Sequence, residues 1–137
     1  PERDTLEELL ARMREFGASV LEPKGITYRF DAQGDHTAAL PPMVKSNLYL
    51  IFKEAVNNAA KHAQATSVNV AIGYRNNRLR MTIVDNGKGL PDVNGPSGAH
   101  GGNGLRNMRK RAEEMKAELR IAGKPDQGTT VDLSIPL

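Results

Sequence analysis

The stretch Phe52-Lys-Glu-Ala-Val-Asn-Asn-Ala-Ala-Lys-His-Ala63 has two unlike faces when wound as a helix. At about 100° per residue, Val44, Leu48, Ile51, Ala55, Ala59 and Ala63 gather on one side. Glu54, Asn58 and Lys61 stand together at the border of that side. One turn separates Glu54 from Asn58, so both side chains can touch one ion or one phosphate group. Two readings fit: an amphipathic helix with a solvated polar border, or a ligand-binding stripe at the edge of a core. Asp85-Asn-Gly-Lys-Gly-Leu90 and Gly101-Gly-Asn-Gly-Leu105 add weight to the second.

The chain has 137 residues, the size of one domain with a real core. It has no cysteine, which excludes a disulfide framework and a thiolate metal site and suits a reducing compartment. The net charge of +3 is mild and argues only weakly for an anionic ligand. Nucleic acid is not expected, because aromatic platforms and a recognised binding motif are missing. No apolar run approaches the roughly 20 residues of a membrane span, and no signal peptide is evident. The chain begins at Pro1 rather than Met and is expected to be a fragment of something longer.

Outward from the central stretch, residues 2–20 read as an amphipathic helix, with Leu6, Leu9, Leu10, Met13, Phe16 and Val20 at 3-and-4 spacing. Pro23 and Gly25 end it. Ile26 to Phe30 alternates as a strand, and Asp31 to Ala39 reads as a polar loop. Leu40-Pro-Pro42 opens the central helix, which runs to about Gln64. Val68, Val70 and Ile72 alternate, as do Leu79, Met81 and Ile83, with Asn76-Asn77 as a hairpin turn between them. Leu119 and Ile121, then Val131, Leu133 and Ile135, mark two more strands. One-sided strands joined by hairpins predict a mostly antiparallel sheet with one face packed on helices. Asn86 to Gly104 is a long glycine-rich loop of the kind that more often serves as a functional lid than as a connector. Leu105, Met108, Ala112 and Met115 mark a helix after it.

Asp85 shares strand parity with Leu79, Met81 and Ile83, so it points to the helix-covered side. A carboxylate there needs partners. It either caps the following Asp-Asn-Gly turn or accepts a hydrogen bond from a ligand donor such as an exocyclic amine. Gly87 and Gly89 would then let the backbone run against a flat ligand. Gly101 to Gly104 is either a flexible loop or a helix start whose free N–H groups attract an anion. Arg106 and Arg109 follow, on a solvated face or near enough to that start to assist with phosphates.

Taken in order, these pieces resemble the GHKL superfamily of ATPases, which comprises gyrase-type, Hsp90-type, MutL-type and histidine-kinase ATP-binding domains. Glu54 to His62 looks like the family's N box, Asp85 to Gly89 its first glycine box, Gly102 to Leu105 its second, and Gly128-Thr129 its closing segment. The wording of these motifs is most similar to sensor histidine kinases of the NarX, DesK and LiaS type. The resemblance covers nearly the whole chain. It implies an α/β (α+β) fold, the Bergerat two-layer sandwich, as a single catalytic domain over residues 1–137.

The resemblance further implies that Asp85 binds the adenine amino group of ATP and that Asn58 holds Mg²⁺. Glu54 would be catalytic, orienting or deprotonating the nucleophile, with Lys61 near the phosphates. Gly87 and Gly89 would shape the adenine pocket, Gly102, Gly104 and Leu105 the phosphate side, and Thr129 would reach adenine through water. His62 either stacks on the base or is a core histidine, and residues 88–103 form the lid. The phosphoacceptor would be a histidine on a separate helical dimerisation domain, because His36, His62 and His100 do not sit on a suitable exposed helix. That domain and the sensor domain are expected to lie outside these residues, with a response regulator downstream. The fragment is expected to be a cytoplasmic monomer without membrane contact and with little autophosphorylation of its own. Alternatives are an anti-sigma-factor serine kinase with the same boxes, or an interaction module with a degenerate pocket.

Overall fold

The computed structural model describes residues 5–61, 64–89 and 102–137. Helix α1 (Leu6–Leu21) is capped by the Thr5 hydroxyl, which accepts from the Glu8 N–H, and Glu7 and Glu8 occupy its first turn. Leu6, Leu9, Leu10, Met13 and Leu21 are buried. A short 3₁₀ turn, Glu22–Lys24, closes on Gly25, whose φ of 73° lies in the left-handed region.

Strand β1 (Thr27–Gly34) runs four residues beyond the expected strand, so Asp31 to Gly34 are strand and not loop. The reason is its partner. It pairs in parallel with β2 (Ser67–Arg75) as far as Gly34 opposite Tyr74, and the ladder satisfies the backbone of a segment with polar side chains. β3 (Arg78–Asp85), β4 (Glu118–Gly123) and β5 (Thr129–Pro136) complete a five-stranded sheet of order β1-β2-β3-β5-β4. All its pairings beyond β1–β2 are antiparallel. The inner face carries Val68, Val70, Ile72, Leu79, Met81, Ile83, Val131, Leu133 and Ile135, all buried. The outer face is polar, with Arg80 paired to Asp132 at 2.8 Å.

Helices α2 (Pro42–Lys61) and α3 (Gly102–Glu114) share the inner face with α1. The expected face of α2 is buried at Val44, Leu48, Ile51, Ala55 and Ala59. Phe52, Val56 and Asn47 are buried as well, because α2 has a helix on either side and the sheet beneath. Phe52 meets Phe16 and Phe30 edge-on at 6.4 and 6.1 Å. Gln64 has φ of 52°, so the helix has ended before it; Ala63 lies outside the described residues.

Asn76 and Asn77 have φ of 54° and 60°, the backbone of a two-residue type I′ hairpin turn that matches the strand twist. Asn77→Ala is expected to lower stability in urea by about 1 kcal/mol, and Asn77→Gly to keep or raise it. Both variants lose the contact from the Tyr74 hydroxyl, so the difference between them reports the turn. Equal urea midpoints would contradict this role for the turn.

Candidate functional site

α2 presents Glu54 and Asn58 half-buried, one turn apart, and Lys61 exposed at its last residue. Gly104, in the first turn of α3, lies directly against Glu54. A methyl group at Gly104 would collide with the Glu54 carboxylate oxygen and stand 3.0 Å from its carboxyl carbon. The sequence motifs separated by 50 residues thus meet, and the positive end of α3 is set beside a carboxylate. Gly102 is the first residue of α3, and Leu105 is half-buried against the core. Arg106 and Arg109 are exposed on the same helix.

Asp85 is the last residue of β3, and it keeps the inward parity of that strand with only 8% of its surface exposed. Its Oδ1 accepts from the Gly87 N–H at 2.9 Å, and the Thr129 backbone N–H also donates to it. The turn-capping reading therefore holds, and the carboxylate keeps lone pairs that these two donors do not use. Burial raises its pKa above the ordinary carboxylate value, and the two backbone donors oppose that shift without cancelling it.

The residues after Asp85 are locked to the β4–β5 turn. Gly87 O accepts from the Gly128 N–H at 3.0 Å, and Lys88 O accepts from the Asp126 N–H. Gly89 has φ of 77°, and a side chain there would strike the Lys124 carbonyl. Gly128 has φ of 81°, and a side chain there would strike the Asp85 carbonyl. The immediate need for glycine at 89 is thus the chain's own backbone, where the sequence pointed to a flat ligand. Thr129 is half-buried opposite Asp85 in the β3–β5 ladder.

Asn86 is a residue that the motif reading passed over. Its Oδ1 accepts from the Thr66 and Ser67 N–H groups at 2.8 and 2.9 Å, and its Nδ2 donates to Thr66 Oγ1 at 2.8 Å. It ties the α2–β2 connection to the end of β3, beside Asp85. A carboxamide in a turn reads from sequence as turn chemistry alone, which hides such a bridge. His62 and residues 90–101, most of the segment expected to form a lid, lie outside the described residues.

The described residues hold no group of three or more His, Cys, Asp or Glu able to cage a metal ion. Magnesium rests on one or two protein oxygens plus phosphates and keeps several waters. Asn58 and Glu54 offer one carboxamide oxygen and one carboxylate a turn apart, which fits an ion carried in on a ligand's phosphates.

Residues 43–137 match the family model described as histidine kinase-, DNA gyrase B- and HSP90-like ATPase. The chain belongs to this ATPase family. Among curated proteins it is 36% identical over 97 residues to the signal transduction histidine-protein kinase/phosphatase DegS of Brevibacillus brevis, covering 71% of this chain and 24% of that protein. It is 35% identical over 115 residues to the sensor histidine kinase MctS of Rhizobium johnstonii, covering 84% and 24%. The chain thus spans about a quarter of the length of these relatives. The histidine kinase domain of a blue-light-activated histidine kinase from Erythrobacter litoralis superposes with a TM-score of 0.74 at 25% identity, over 94% of this chain and 61% of that one. The family fold is the expected α/β one, a mixed sheet under helices.

The raised pKa of Asp85 has a consequence for stability. The folded protein holds this proton more tightly than the unfolded chain, so the stability contribution falls as pH rises through the folded pKa. Asp85→Asn, which cannot ionise, is expected to be more stable than the wild type at neutral pH. The gap should narrow as pH falls towards about 4, the ordinary carboxylate range. Urea unfolding across that range checks it; a gap that stays constant or widens on acidification contradicts the burial argument.

Proposed function

We propose that residues 1–137 form the ATP- and Mg²⁺-binding catalytic domain of a two-component sensor histidine kinase. The observation that carries the reading is the pairing of a buried Asp85 at one strand end with Glu54 held against the glycine start of α3. The ATPase family match and the histidine kinase relatives support it.

In this reading the free acceptor capacity of Asp85 takes the adenine amino group, and Thr129 reaches the base through water. Gly87 and Gly89 form the wall of the adenine pocket, which the turn at Lys124–Gly128 holds in place. Asn58 supplies an oxygen to Mg²⁺, which when bound neutralises charge on the phosphates. Lys61, and the N–H groups at Gly102, Gly104 and Leu105, add positive charge on the same side. His62 borders the nucleotide. Glu54 orients the acceptor imidazole or takes its proton as the ring nitrogen attacks the γ-phosphorus and the bond to the ADP oxygen breaks. The acceptor belongs to a separate helical domain of the parent kinase, and a response regulator receives the phosphoryl group afterwards. The domain works in the cytoplasm, where ATP is available, as a monomeric unit without membrane contact. No helix among the described residues is long and apolar enough to cross a membrane.

Binding of ATP and ADP with Mg²⁺, compared with GTP and with Asp85→Asn, tests the pocket. Loss of one hydrogen bond to a charged group predicts a fall in affinity of about 10- to 100-fold in the variant, with adenine preferred over guanine. Equal binding of ATP and GTP, or binding indifferent to Asp85, would overturn the assignment. In the parent kinase, Glu54→Gln should leave ATP binding intact and slow phosphotransfer about 10²- to 10⁴-fold. A near-normal rate removes the base role and leaves orientation only.

A further inference from the structure

Two polar side chains are buried among the described residues, Asp85 and Asn47. The proposed chemistry uses the first and not the second. Asn47 is 4% exposed on α2. Its Nδ2 donates to Glu114 Oε2 and its Oδ1 accepts from Arg111 Nη1, both at 3.3 Å, so both partners belong to α3. Seven residues on from Asn47 is Glu54, and seven residues before Arg111 is Gly104, which touches Glu54. Each interval is two helical turns, about 10.5 Å. The helices therefore run antiparallel and meet at two stations with the same spacing on both.

We propose that Asn47 is a positioning residue that pins the register of α3 against α2 and so holds the start of α3 at the Glu54 carboxylate. Met108 in α3 and Met115 in the turn just after it are among the buried residues, and such unbranched side chains repack easily and specify position poorly. A carboxamide differs in that it has one donor end and one acceptor end, matched here to a carboxylate and a guanidinium. A slip of one turn, about 5.4 Å, would part it from these partners and leave a buried amide unpaired. A buried asparagine fixing helix register is a known use of such residues.

The inference rests on the nucleotide reading only for its functional consequence, so its test has two arms. The chain lacks cysteine, which allows spin labels at Met43→Cys and Asn107→Cys, both exposed and offset along the helix pair. Pulsed electron spin resonance should give one narrow distance in the otherwise unaltered protein, and a broadened or shifted one in Asn47→Leu and in Arg111→Met. The second arm compares ATP with adenosine. Both variants should bind ATP about tenfold more weakly while adenosine, which uses the Asp85 end, binds as before. An unchanged label distance in both variants overturns the pin, as does a parallel loss of ATP and adenosine affinity, which is what general destabilisation gives. If the unsubstituted domain binds no ATP, the nucleotide reading fails, and the label distances alone decide the pin.

Discussion

A carboxylate on the inner face of a sheet is the constraint to which much of this domain answers. Asp85 occupies a position that strand parity reserves for an apolar side chain. Its burial is tolerable because two backbone N–H groups donate to it, one from the turn that follows and one from the neighbouring strand. Both donors have to be brought there. That requires β5 to begin opposite the end of β3, and it requires the β4–β5 turn to lie across the glycine segment. Backbone at that crossing leaves no room for side chains at Gly89 or Gly128. The glycines serve the chain's own crossing before they serve any ligand.

A second group of contacts follows from the burial of α2. With α1 on one flank and α3 on the other, it buries Phe52 and Val56 in addition to its sheet-facing stripe. Its polar border is left where α3 begins, so Glu54 meets a backbone with no side chain in the way. A carboxylate beside a helix N-terminus is electrostatically favourable, so this contact contributes to stability where α2 meets the start of α3. Asn86 closes the arrangement by tying the chain that leaves α2 to the strand that carries Asp85.

Much of this was legible in the sequence where one residue's geometry sufficed. The parity of Asp85 followed from Leu79, Met81 and Ile83, and the hairpin from two asparagines that tolerate positive φ. What stayed hidden depends on partners far along the chain. The extension of β1 is held by a parallel ladder whose hydrogen bonds leave no mark on side-chain pattern. Phe52 and Asn47 are buried by flanking helices, which a single-helix projection cannot include. Asn86 looks like any turn residue until its acceptor meets the N–H groups of Thr66 and Ser67. For the candidate site, spacing located the residue types, and the folded chain supplied the contact between Glu54 and Gly104.

The hairpin turn at Asn76–Asn77 stands at the opposite end of β3 from Asp85. Seven residue steps of an antiparallel strand amount to about 24 Å. The domain is therefore polarised, with the buried carboxylate of Asp85 at one pole of the sheet and a two-residue loop at the other. That distance makes the loop a natural tether. A dye, an affinity handle or a surface linker attached there would immobilise the domain with its glycine segments facing away from the support.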